Sequence, residues 1–146
     1  MKVIALKGAH NTGKTETMTE LYELLKADSD NYTMVEDKYS IFGKNIQSPP
    51  RGRDFFTILE NKSDCKIGIS SYGDNYDIII KSLEEFSKKG CTIVLIACLT
   101  SGNTHSAIKE YDHNPVFINK TKIEHQDRKK TNLEDAKKIK KTLDSI

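Results

Sequence analysis

Eight consecutive residues, Gly8-Ala9-His10-Asn11-Thr12-Gly13-Lys14-Thr15, constrain this chain more than any other stretch, because they match G-x-x-x-x-G-K-[ST] at every fixed position. With Gly at about 7% of residues, a chance match in a chain this size is expected below about 1%. The flanks agree with the motif. Lys2-Val3-Ile4-Ala5-Leu6 before it is a β-branched apolar run that predicts a strand buried on both faces. After it, Met18, Leu21, Tyr22 and Leu25 recur at i, i+3, i+4 and i+7, which predicts an amphipathic helix starting near Thr15. A strand, a glycine turn and a helix in that order form a concave cluster of backbone N–H groups. The helix dipole adds to its attraction for anions.

The residue types follow from that chemistry. Gly8 and Gly13 are expected to take backbone angles closed to other residues and to admit a ligand close to the main chain. Lys14 brings a full positive charge, and the Thr15 hydroxyl is a hard oxygen ligand for Mg²⁺. On these residues the chain resembles the P-loop nucleoside-triphosphatase superfamily over about its first 27 positions. The resemblance implies that Gly8, Ala9, His10, Asn11, Thr12, Gly13, Lys14, Thr15 and the nearby Thr17 bind the phosphates of ATP. It also implies that Thr15 ligates Mg²⁺.

Superfamily members hold the metal's water shell with a carboxylate at the end of a second strand, and here several compete. Asp74 follows KIGISSYG, Glu36 and Asp37 follow YTMV, and Glu60 follows FFTIL. Asp74 is favoured as metal and catalytic residue, since Gly73 permits close backbone approach; the alternative is that it caps the next helix. Asp37 is the second catalytic candidate, because small kinases of this superfamily carry a base or substrate-binding Asp after the second strand. Arg51 and Arg53, bracketing a glycine after Pro49-Pro50, are added as phosphate contacts. By analogy with small kinases, Arg128 with Lys129 and Lys130 is the other source of charge over a transferring phosphoryl group.

The remaining chain reads as alternating elements. Tyr32–Glu36 is a weak strand, and residues 37–53 form a polar loop. Phe55–Leu59 and Lys66–Ser71 predict an antiparallel hairpin within residues 54–71, turning at Asn61-Lys62-Ser63-Asp64. A helix with Ile79, Leu83 and Phe86 on one face ends at Lys88-Lys89-Gly90. Thr92–Leu99 is the most apolar run and is placed at the sheet centre. A turn at Thr100–Asn103, a short helix at Thr104–Tyr111 and a strand at Val116–Asn119 follow. Thr131-x-x-Glu134 has the spacing of a capping box opening a last helix with Ala136, Ile139, Leu143 and Ile146 on one face. The expected fold is α/β: one domain over residues 1–146, a three-layer sandwich with a mostly parallel sheet of five or six strands.

Composition narrows the function. The 146 residues carry 23 basic and 21 acidic side chains, net +2, too little to argue for nucleic acid. Residues 120–146 hold nine basic and five acidic groups, net +4, which leaves −2 on the first 119; a solvated helix face explains this more readily than a polyanion site. Cys65, Cys91 and Cys98 show no CxxC pair and fit neither a disulfide framework nor a zinc site. His105 and His113 are too far apart to argue for a metal. No apolar stretch approaches the roughly 18 residues of a membrane span, and the N-terminus opens on a strand rather than a secretion signal, so a cytoplasmic protein is expected.

The function expected is that of an Mg²⁺-dependent ATP-binding protein that hydrolyses ATP or passes its γ-phosphoryl group to a small acceptor. ATP is preferred to GTP because Asn119-Lys120-Thr121-Lys122 has Lys where a guanine-reading NKxD needs Asp. The alternative is a regulatory or interaction module in which ATP is a structural or switching ligand and the basic C-terminal segment docks a partner or nucleic acid.

Overall fold

A computed structural model describes residues 1–36, 39–41, 44–46, 54–123 and 127–146. The elements in chain order are β1 (Lys2–Lys7), α1 (Lys14–Ala27), β2 (Tyr32–Glu36), β3 (Tyr39–Ile41), β4 (Lys44–Ile46), β5 (Phe56–Asn61), β6 (Lys66–Ser70), α2 (Tyr76–Lys88), β7 (Cys91–Cys98), α3 (Asn103–Lys109), β8 (Val116–Asn119) and α4 (Arg128–Asp144). Six strands form one sheet in the order β2-β5-β6-β7-β1-β8, and β3 pairs with β4 separately. The fold class is α/β, and part of the expected 37–53 loop is a short antiparallel pair.

The sheet is mixed, so the expectation of a mostly parallel sheet holds in part: three of its five strand pairings are parallel. β1 pairs in parallel with β7 and β8, and β6 with β7, but β5 is antiparallel to both β2 and β6. The cause is local. Only Lys62–Cys65 joins β5 to β6, too short for a crossover, so the two strands must reverse. The Asn61 side chain closes that turn by accepting the Ser63 and Cys65 amides, and Asp64 takes a positive φ of 62° within it. The expected hairpin therefore forms, and β5 alone runs against the other five strands.

Alternation along the buried strands divides the core in two. Ile4 and Leu6 of β1 and Leu95 of β7 face Met18, Leu21 and Leu25 of α1 and Ala136, Ile139 and Leu143 of α4. Val3, Ala5, Val94 and Ile96 face Ile79, Leu83 and Phe86 of α2 and Ala107 and Ile108 of α3. Helices thus cover both sheet faces, and the most apolar strand, β7, lies inside as expected. Two details at α4 differ from expectation. The helix begins a turn earlier than the Thr131 box, capped by the Asp127 carboxylate on the Lys129 amide; the Thr131 hydroxyl instead donates back to the Asp127 carbonyl. Ile146 lies beyond the helix end and is 59% exposed. Among the described residues no helix is long and apolar enough to cross a membrane.

Candidate functional site

The Gly8–Thr15 loop begins at the carboxyl end of β1. Its first amide, Gly8 N–H, donates to Cys98 O of β7 at 3.1 Å, and Lys120 N–H at the end of β8 donates to Lys7 O at 2.8 Å. From here α1 leaves toward one face of the sheet, while α3, which follows β7, packs on the other. This divergence is the topological switch at which open α/β sheets present a crevice for ligands.

The two motif glycines serve different ends. Gly13 caps α1 with φ +90°, a conformation only glycine adopts readily, and supplies no capping side chain to the first helical amides. Asn11 also has a positive φ, 59°. Gly8 does not require unusual angles; it is needed for proximity, since a Cβ there would lie 2.9 Å from both Lys120 Cβ and Thr12 Oγ1. Thr12 Oγ1 and Lys14 Nζ both donate to Ala9 O, at 2.7 and 2.9 Å, and Lys14 also reaches Gly8 O at 2.7 Å. The lysine is buried, and burial holds its pKa below the usual range, although Asp74, then Cys98 and Asp54, pull the other way. Its charge is thus folded back on carbonyls that a phosphate can replace.

The carboxylate touching Thr15 is Asp54. Thr15 Oγ1 donates to Asp54 Oδ1 at 2.9 Å, and Ser71 Oγ donates to the same oxygen at 3.0 Å while accepting the Phe55 amide at 2.8 Å. Asp54 lies two residues before β5, and because β5 is reversed, its amino end lies where the other strands have their carboxyl ends. The same reversal carries Glu60, near the far end of β5 and opposite Lys66, away from the loop. Asp54 was visible as a carboxylate flanking an expected hairpin strand, but looking only at carboxyl ends passed over it. Asp37, Arg51 and Arg53 lie outside the described residues.

Asp74 does border the loop. Its carboxylate lies 3.5 Å from His10 Nδ1, with the side chains 57% and 64% exposed. It is not the helix cap: Asn75 takes that place, accepting the Ile78 amide at 3.0 Å. Gly73 is packed against β7, where a Cβ would lie 2.2 Å from Ala97 O. His10, Lys14, Thr15, Glu16, Asp74 and Arg128 line a cleft of about 170 Å³ with the loop between them. Arg128 is forked onto Glu16, Nε to Oε2 at 2.7 Å and its terminal nitrogen to Oε1 at 3.1 Å. That bond, first, holds the Glu16 carboxyl below its usual pKa range. Thr17 faces inward, its buried hydroxyl donating to Gly13 O and to Asn132, so it supports the loop's backbone rather than its open side.

Several other groups have partners that remove them from the chemistry. Lys120 is buried on Asp135 at 2.9 Å rather than open to a ligand, and His105 bonds Leu99 O and stacks on Phe117. Burial pushes the Cys98 thiol, near Lys14, up to about 12, which leaves it no thiolate at neutral pH. A larger cleft of about 430 Å³, lined by Asn61, Ile93 and Asp144, opens at the opposite ends of the strands, away from the loop.

Among the described residues no three His, Cys, Asp or Glu side chains are grouped to hold a metal unaided. The oxygen donors present, the Thr15 hydroxyl bonded to Asp54 and the Asp74 carboxylate on the cleft lining, are of the hard type that suits a small cation keeping several waters. Compared with known protein families, with curated proteins and with solved structures, the chain matches none.

Proposed function

We propose that this chain binds a magnesium-complexed nucleoside triphosphate, ATP in preference to GTP, on the Gly8–Thr15 loop. It then hydrolyses the triphosphate or passes the γ-phosphoryl group to a small acceptor. The observation that carries this reading is the convergence in one crevice of a glycine-capped helix start, a lysine bonded to replaceable loop carbonyls, and a hydroxyl–carboxylate pair, Thr15 with Asp54. The three attract, in turn, a phosphate's oxygens, its charge and its cation.

The residues then act by position. The open amides at the start of α1 receive the phosphate oxygens, and Lys14 leaves Gly8 O and Ala9 O for the β- and γ-oxygens. Thr15 and the rim carboxylates are the residues that would hold Mg²⁺, which neutralises developing charge when bound. Ser71 keeps Asp54 oriented toward Thr15. Arg128 lines the same cleft with its guanidinium forked onto Glu16, and is the residue that would add charge beside the bound anion.

The test is calorimetric titration with Mg·ATP alongside measurement of ADP formation with and without nucleosides, sugars and small acids. Binding that falls more than about tenfold in a folded Lys14→Ala chain is expected from loss of a charged hydrogen-bond donor. Failure of the wild-type chain to bind Mg·ATP at millimolar concentration overturns the reading. Binding without turnover would make ATP a structural or switching ligand.

A further inference from the structure

Asn132 lies on α4, more than a hundred residues from the loop in sequence, yet its side chain is 2% exposed and pressed against it. A Cβ placed on Gly13 would come within 2.8 Å of Asn132 Oδ1. That oxygen accepts the Thr17 hydroxyl at 3.2 Å, and Nδ2 donates to Glu16 Oε2 at 2.9 Å. The three residues it touches straddle Lys14 and Thr15. Two turns further along α4 the same helix pair is apolar, with Ile139 and Leu143 packed among Met18, Leu21 and Leu25.

A space-filling residue at this position needs neither a donor nor an acceptor. Here both are used: Glu16 presents a carboxylate to the amide donor, and the Thr17 hydroxyl hydrogen, shared with Gly13 O, points to the amide oxygen. Gly13 has no side chain to select its left-handed conformation from the many open to glycine, so the selection must come from what packs on it. We infer that Asn132 is a positioning residue for the Gly8–Thr15 loop, through which α4 holds Gly13 and the first turn of α1 ready for an anion before one arrives. The expected effect on ligand affinity rests on the phosphate reading above; the effect on loop rigidity does not. Preorganisation of this kind strengthens binding by removing the ordering cost from the binding step.

The test uses the full chain in three variants. Asn132→Asp sets a second carboxylate against Glu16 and loses the donor. Asn132→Ala removes both bonds without adding charge, and stands in if the first variant does not fold. Ile139→Ala removes stability from the same helix pair away from the loop. Amide hydrogen exchange over residues 8–17 is measured without ligand, and affinity is measured for Mg·ATP and for magnesium tripolyphosphate. Both Asn132 variants are expected to speed loop exchange and weaken both ligands by about tenfold, the loss attached to a missing polar contact. Ile139→Ala should melt earlier yet leave loop exchange and affinity near the wild-type values. Loop exchange unchanged in the Asn132 variants, or changed equally in Ile139→Ala, overturns the inference. If the wild-type chain binds neither ligand, the nucleotide reading fails and the exchange comparison alone decides the role of Asn132.

Discussion

Asp74 lines the cleft and Asp54 reaches it through the Thr15 hydroxyl, and their surroundings differ. Asp54 is tied by two hydroxyls, Thr15 and Ser71, through one oxygen; Asp74 is more than half exposed and has His10 beside it. An oriented carboxylate bonded to the hydroxyl that would meet the metal is the better fixed partner for a cation, whereas an exposed one can turn toward an acceptor. Asp54→Asn keeps an oxygen for both hydroxyls, so the fold should survive with little change in melting temperature. Its loss of charge should weaken Mg·ATP by about ten- to a hundredfold, the range for an outer partner of a metal site, and leave metal-free ATP nearly unaffected. Asp74→Asn should shift the same affinity less. Titrations with and without Mg²⁺ separate the two, and equal losses under both conditions would remove Asp54 from the metal's side of the site.

Elements decide what those residues can reach. The hairpin over 54–71 was readable from two strand-like runs and a turn, but its consequence was not: with β5 reversed, the useful carboxylate precedes the strand and Glu60 is carried away. The helix patterns of α1 and α2 were legible because burial repeats every three or four residues. The start of α4 was not, since Thr131 can cap or bond back one turn, and here the exposed Asp127 carboxylate takes the cap by accepting the Lys129 amide. Asn132 left no local signal, because its partners lie on another helix. Nor did the sequence distinguish the lysines of the basic segment: Lys129, Lys130, Lys137 and Lys141 are exposed, while Lys120 is sealed against Asp135. Asp135 also accepts the Thr121 amide at 2.8 Å and its hydroxyl, thereby fastening α4 to the end of β8 beside Gly8. Lys120→Met leaves that buried carboxylate with only the exposed Lys138, 3.6 Å away, as a counter-charge, and should cost up to about 3–5 kcal/mol in urea unfolding. The double variant Lys120→Met/Asp135→Leu should recover part of the loss, since it removes the poorly compensated charge, and no recovery would mean that the pair contributes chiefly through Thr121.

At the level of the whole molecule, the α/β class and the two helix-covered faces follow from the order of apolar runs, while strand direction and the contacts between α1 and α4 depend on pairings distant in sequence. The packed centre also sets how the fold responds to alkali. Cys91 and Cys98 bound β7 and are buried on the α2 and α3 side, and burial raises both thiols from 9.0 to about 12. For a group whose folded pKa is raised, the native chain retains a proton that the unfolded chain releases. Its contribution is therefore complete below the unfolded pKa near 9 and is lost as pH climbs toward about 12. With two such thiols the unfolding free energy should fall by about 2.7 kcal/mol per pH unit inside that window, at about 1.36 kcal/mol per proton. Lysines and tyrosines titrate over the same range, so the informative quantity is a difference between variants. Urea unfolding of the wild-type chain and of Cys91→Ala/Cys98→Ala, at intervals from pH 8 to 11, should show the double variant less stable at pH 8 because of the cavities it leaves. Its alkaline slope should nevertheless be shallower, so that the gap between the two chains narrows as pH rises. Parallel slopes would mean that the two sites open to solvent before the thiols ionise, and that β7 is not the closed centre that its position among the helices implies.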